Sequence, residues 1–218
     1  MTQKKSVPAT LSLLSSLYLC KPSKEAIANW KIFLSENTSG FLFGLEGALH
    51  KIDHHSGQVM DDLLWEYTRL FVGPYKLPCP PWESVYASPK RLLMQSAYDR
   101  VQDCYREIGL AVSGFDIMPD HIGAELNFLA ILYGKIIQGG KKEPHFRALA
   151  NKFMDEHLLR WIPQFTQDMA SAAHSVFYKE LAQTTNKFIF WLSSNGRRAR
   201  TEKSEKKVSE RNWRTVPG

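Results

Sequence analysis

Cysteine is scarce in this chain: Cys20, Cys79 and Cys104 stand far apart, and no CxxC pair occurs. An odd, scattered set argues against a disulfide framework or a cysteine-built zinc site, and it fits a reducing compartment. Long hydrophobic runs are missing as well, none approaching the roughly 18 apolar residues of a membrane span. The opening stretch MTQKKSVPATLSLLSSLYLC has the basic head and apolar body of a secretory leader, but Ser12, Ser15 and Ser16 interrupt it. No small-residue cleavage site follows, so we read the protein as cytoplasmic. Neither GxSxG, GxGxxG, HExxH nor GxxxxGK followed by Ser or Thr occurs. That removes the common local signatures of hydrolases, dinucleotide and nucleotide sites and zinc proteases. Residue types alone leave a Ser-His-Asp arrangement open.

Charge of one sign is lacking over most of the chain. The net charge is +6, from 28 Lys or Arg against 22 Asp or Glu, but residues 196–218 hold eight of the bases and three of the acids. The body, 1–195, keeps 20 and 19 and is close to neutral. A tail this polar, with few core-forming residues, is expected to be disordered. Its bases and Trp213 could contact phosphates and stack on a base, but the interspersed glutamates and the neutral body weigh against nucleic-acid binding. Arg197 and Arg198 form a pair with no apolar run after them, so the tail is not itself a targeting signal.

What is present is helical periodicity, with no convincing strand alternation. Leu11, Leu14, Tyr18 and Leu19 share a face in a helix over about 8–20. A second follows Pro22 and Ser23, a third covers 41–52 and a fourth 58–72. Ser88 with Pro89 suggests the start of a long helix to Gly109. Pro119 opens the most regular helix, with Ile122, Leu126, Leu129, Tyr133 and Ile136 in register until Gly139 and Gly140. Another helix runs from Pro144 to about Leu159, a break at Trp161 and Pro163 leads to a short one ending near Ala173, and the last reaches Asn195 with Gly196 as its cap. About nine helices with short turns predict an all-α, single-domain bundle.

Between the fourth helix and the next lies the stretch YTRLFVGPYKLPCPPWESVY, residues 67–86. Gly73 and Pro74 stop the helix, and Pro78, Pro80 and Pro81 stiffen the loop that follows. Tyr75, Leu77, Trp82 and Tyr86 on such a loop either pin it to its own core or present an apolar surface ordered in advance, which lowers the cost of binding.

The run RLFVGPYKLPCPPWESVY, with MPDHIGAELNFLA downstream, resembles the cytoplasmic chaperones of molybdenum-containing respiratory reductases, those serving dimethyl sulfoxide and trimethylamine N-oxide reductases in anaerobic respiration. The likeness is nearest to the members that mature dimethyl sulfoxide reductase, and it extends more weakly from the first helix to about Asn195. It implies an all-α fold, no catalysis, no cofactor, and binding of the twin-arginine signal peptide of a molybdopterin reductase precursor until folding and cofactor insertion are complete. Contact with the twin-arginine translocase, and a monomer or a domain-swapped dimer, are compatible with it. In the family an Asp-His pair belongs to the peptide-binding region, and Asp120 and His121 match it. Glu83 departs from the smaller residue expected between Trp and Ser.

A leader with a positive head and an oily body calls for an apolar groove with acids at one end. Tyr67, Leu70, Phe71, Gly73, Pro74, Tyr75, Pro81 and Trp82 are the candidates for the groove. Asp120 and His121, with Glu125, Glu83 or Asp116, are candidates for the arginines, since guanidinium pairs bidentately with carboxylate. The plain alternative for Asp120 is a first-turn carboxylate favoured by its helix dipole. A metal-dependent enzyme would rest on His50, His54 and His55 with Asp53, but no third ligand is evident from spacing, and a solvated helix end is the plainer explanation.

Overall fold

The computed structural model describes the backbone of residues 2–37, 40–74, 76–110 and 117–213, with side chains between 7 and 196. Among these residues ten α-helices follow one another: α1 Thr2–Leu19, α2 Lys24–Glu36, α3 Phe43–His50, α4 Gly57–Tyr67, α5 Glu83–Ala87, α6 Ser96–Glu107, α7 Ile122–Gln138, α8 Glu143–Phe153, α9 Leu159–Ala172 and α10 Val176–Trp213. Two π-helical turns, Thr68–Val72 and Met154–Leu158, continue α4 and join α8 to α9. Among the described residues the bundle is all-α, as expected, and no helix is long and apolar enough to cross a membrane.

α1 lies against α7, which also packs on α8, while α10 lies against α9 and α3. The α1–α7 contact is close because Gly123 has no side chain: a Cβ there would run into Leu19. Ser15 Oγ donates to the Gly123 carbonyl at 2.7 Å, tying the same two helices. Leu11, Leu14, Ile122, Leu126 and Leu129, read as stripes, are fully buried. Burying each such side chain contributes about 1.5–3 kcal/mol.

Three boundaries differ from the sequence reading. The long helix expected over 88–109 is instead α5, an irregular strap over 88–95, and α6. Ser88 is the extended C-cap of α5, and Arg91 and Met94 have φ of 51° and 53°. Leu92 and Leu93 face solvent, so no buried stripe holds a helix together there. The break expected at Trp161 and Pro163 does not occur: Pro163 lies inside α9, and the irregularity falls earlier, at the π turn Met154–Leu158. Finally, Gly196 does not cap the last helix, since α10 continues to Trp213, through residues expected as a disordered tail. That segment is rich in Lys, Arg and Glu, which lose little freedom in a helix. Among the described side chains the last buried ones are Leu192 and Ser193.

Candidate functional site

The two motifs meet. Glu83 N–H donates to the Asp120 carbonyl at 2.9 Å and Ile122 N–H to the Pro81 carbonyl at 2.9 Å, forming an antiparallel bridge between Trp82 and His121. These flanking bonds leave Trp82 and His121 as a directly opposed pair, whose side chains lie on one side. Their rings sit edge to face at 5.9 Å, and both are half-buried. The approach to this bridge is set by the end of α4: Gly73, at φ 101° and ψ −169°, donates to the Thr68 carbonyl at 2.9 Å and turns the chain into the proline loop. Cys79 is buried in that loop with its thiol 3.5 Å from the Leu70 carbonyl.

Behind the bridge lies a buried polar cluster. Asp120 Oδ2 accepts from Ser84 N–H at 3.0 Å, which caps the first turn of α5. Glu83 Oε2 lies 2.8 Å from His157 Nδ1, and His157 Nε2 is 3.9 Å from the Cys104 thiol. Glu125 Oε2 accepts from Trp161 Nε1 at 3.1 Å. Tyr105 OH donates to the Pro119 carbonyl at 2.7 Å and fixes the turn before Asp120. Burial, with Glu83 beside it, holds the Glu125 carboxyl well above the usual range, and burial raises Asp120 against the pull of its Ser84 bonds. Burial pushes His121 down to about 4, so the ring is neutral near pH 7 and its Nδ1 accepts from Gly123 N–H at 3.1 Å.

The expected groove therefore divides. Tyr67, Leu70 and Phe71 are core: Tyr67 OH donates to the Tyr18 carbonyl at 3.1 Å, and Phe71 packs edge-on against Tyr18, Tyr67 and Tyr178. Their regular spacing marked the face the helix buries, and that face looks inward. Pro81 is buried, and Glu83, Asp120 and Glu125 are at most 1% exposed, so none of these acids meets solvent. Pro74 is exposed and Gly73 half-buried. Tyr75 and Asp116 lie outside the described residues.

The reading missed His157 and Trp161, which hold two of the buried acids. Their spacing of four was the available signal, but it does not say what they face, and the break expected at Trp161 hid it. Cys104, His157 and Glu83 have the residue types of an activated thiol, yet burial pushes the Cys104 thiol up to about 11, the reverse of activation. Of the three histidines weighed for a metal, His50 pairs loosely with Glu46 at 3.8 Å and His54 stands 3.3 Å from the Lys31 ammonium, an unfavourable neighbour for a cation. Among the described residues no group of three metal-ligating side chains gathers.

Two cavities adjoin this region. One of about 230 Å³ is apolar, walled by Leu19, Tyr105, Ile117 and Phe128 between α1, α6 and α7. The other, about 520 Å³, lies between the proline loop, the strap and α9.

A family model described as the nitrate reductase delta subunit matches residues 24–167. The probable Tat proofreading chaperone DmsD of Haemophilus influenzae is 33% identical over 125 residues, covering 57% of this chain and 57% of that one. The Tat proofreading chaperone DmsD of Salmonella typhi is 31% identical over 118 residues, covering 54% and 53%. The chaperone protein TorD of Vibrio parahaemolyticus is 24% identical over 143 residues, covering 64% and 66%. The aligned part thus spans between half and two thirds of these relatives. A crystal structure from Archaeoglobus fulgidus, provisionally labelled as a redox enzyme maturation protein, superposes with a TM-score of 0.58 at 20% identity, over 85% of this chain and 93% of that one. That likeness concerns the fold.

Proposed function

This chain belongs to the nitrate reductase delta subunit family, and on that footing we propose that it is a cytoplasmic chaperone that binds the twin-arginine signal peptide of a molybdopterin reductase precursor. The observation that carries the reading is that one family match, residues 24–167, takes in both motifs, which the Trp82–His121 bridge joins. Relatives that align with more than half of the chain are named as Tat proofreading chaperones. The chain works by binding rather than by catalysis. It holds the precursor back from export until the cofactor is in place, and then releases it towards the translocase, as a monomer or a swapped dimer.

On this reading Trp82 and His121, with Pro74 of the proline loop, form the contact face for the apolar part of the leader. Glu83, Asp120 and Glu125 act beneath it, fixing the start of α5 and the turn before α7. A half-buried tryptophan on a braced backbone has the character of a binding anchor, whose truncation typically costs 2 kcal/mol or more, about thirtyfold in affinity. Calorimetry with a synthetic twin-arginine leader should give saturable binding, and Trp82→Ala should weaken it at least tenfold while melting within a few degrees of the parent. A leader that fails to bind the unaltered chain, where its own reductase precursor also fails, removes the proposal.

A further inference from the structure

Arg91 sits in an unusual place for an arginine. Its backbone is in the left-handed region, φ 51°, which side chains other than glycine rarely adopt without compensation. Met94, at φ 53°, bends the strap a second time. The effect is to bring the Arg91 side chain back over the Tyr86 ring, 5.0 Å from its centroid, and to 3.7 Å from Asp168 Oδ2. A guanidinium over an aromatic face and beside a carboxylate satisfies both of its attractive modes. The carboxylate is already oriented: Gln164 Nε2 donates to Asp168 Oδ1 at 2.6 Å, leaving Oδ2 for the arginine.

The pairing is nevertheless loose. At 3.7 Å the ion pair is well beyond the roughly 2.7–2.9 Å of a charge-assisted hydrogen bond, so the bidentate capacity of Asp168 is not used. The Asp168 side chain is 22% exposed and that of Arg91 48%, so a sheltered acid is held by a base that reaches solvent. Both open on the 520 Å³ cavity, whose other walls are Lys76, Leu77 and Pro78 of the proline loop and Ser171 of α9. The strap itself reads Lys90-Arg91-Leu92-Leu93-Met94, a basic pair followed by three apolar residues that are 40–61% exposed. That is the order of chemistry, in brief, of an arginine-headed oily peptide.

We propose that Asp168 and the Tyr86 ring form a guanidinium subsite that Arg91 fills in the free protein and that an arginine of an incoming peptide takes over by exchange. The peptide class rests on the chaperone reading above; the guanidinium chemistry does not. With Asp120, Glu83 and Glu125 closed off in the interior, Asp168 is an acid within reach of such a head, and the exposed Leu92, Leu93 and Met94 lie next in the chain for the oily segment. Arg91 then acts as a competitor built into the fold, so that lysine-headed peptides, which cannot reproduce the planar fork, exchange poorly.

The test uses the full chain as parent, Arg91→Ala, Asp168→Asn and the double variant, each checked for an unchanged circular dichroism spectrum. Ethylguanidinium chloride, followed by Tyr and backbone amide shifts in NMR, should bind Arg91→Ala and not the double variant. The twin-arginine leader should bind Arg91→Ala at least threefold more tightly than the parent. Its preference over a twin-lysine leader, expected to be about tenfold in the parent, should collapse in Asp168→Asn. Ethylguanidinium binding that is absent from Arg91→Ala, or equal in the double variant, overturns the subsite. So does an arginine preference that survives Asp168→Asn, and in that case leader binding by the parent leaves the chaperone reading intact. Ethylguanidinium binding as expected, without leader binding by any variant, upholds the subsite and removes the chaperone reading instead.

Discussion

Asp120 stands two residues before its own helix, α7, and turns its carboxylate to another. Its Oδ2 takes the Ser84 N–H, one of the amides that α5 leaves without an internal partner. Glu66 does the same for the start of α10, accepting from Ser175 N–H at 3.1 Å. From the sequence, Asp120 looks like a dipole-favoured first-turn acid or a free acceptor for arginine. Nothing local says that the nearest helix start in space belongs to a segment 36 residues earlier. Its burial changes what a substitution should do. Asp120→Ala removes an N-cap and strands a buried amide, costing about 1–3 kcal/mol, whereas Asp120→Asn keeps an acceptor and costs less. Thermal unfolding followed by circular dichroism should place the alanine variant several degrees below the parent and the asparagine variant between them. An alanine variant that melts with the parent would mean that the cap contributes nothing.

At the scale of elements, what the sequence declares is periodicity and punctuation. The regular stripe of α7, the start of α2 after Ser23 and the stop at Gly73 are all visible before the structure is known. Gly73 is the clearest, because its φ of 101° and ψ of −169° lie in a region essentially reserved for glycine. Gly73→Ala should therefore cost about 1–3 kcal/mol in urea unfolding. It should also weaken leader binding by more than that loss of folded protein explains, since the proline loop leaves α4 through this residue. A substitution that is neutral in both measurements would show that the turn is not imposed at Gly73. Less legible is anything that depends on which face meets what. Pro89 follows a serine and reads as a helix start, yet its neighbours Leu92 and Leu93 have no core to join, so the strap forms instead. Tyr67, Leu70 and Phe71 carry a correct stripe that points into the bundle rather than into a groove. The pairing of Trp82 with His121 joins segments far apart in the chain, and no spacing within either one contains it.

The buried acids act on the whole molecule through pH. Glu125 holds its proton in the folded state well above its ordinary value of 4.5, and Asp120 above its ordinary 3.8. Over that span the unfolded chain binds fewer protons than the folded one, so stability falls as pH rises from about 4 towards the folded values. His121 has the opposite sign. Its folded value near 4 lies below the ordinary 6.5, so the unfolded chain binds the extra proton between them and stability rises with pH through that window. Between about 4 and 6.5 the slope from His121 opposes the slope from the two acids. Glu125→Gln keeps the shape and an acceptor for Trp161 Nε1 while removing the proton that Glu125 retains. Its stability should therefore decline less than the parent's as pH rises above the ordinary 4.5, moving the maximum to higher pH, as read from urea unfolding at half-unit steps. Parallel curves for the two proteins would mean that Glu125 ionises in the folded state as it does in water. A flatter curve would show that the acids beneath the Trp82–His121 bridge carry an electrostatic cost at neutral pH, and that the cost falls on the segments from which the proposed contact face is built.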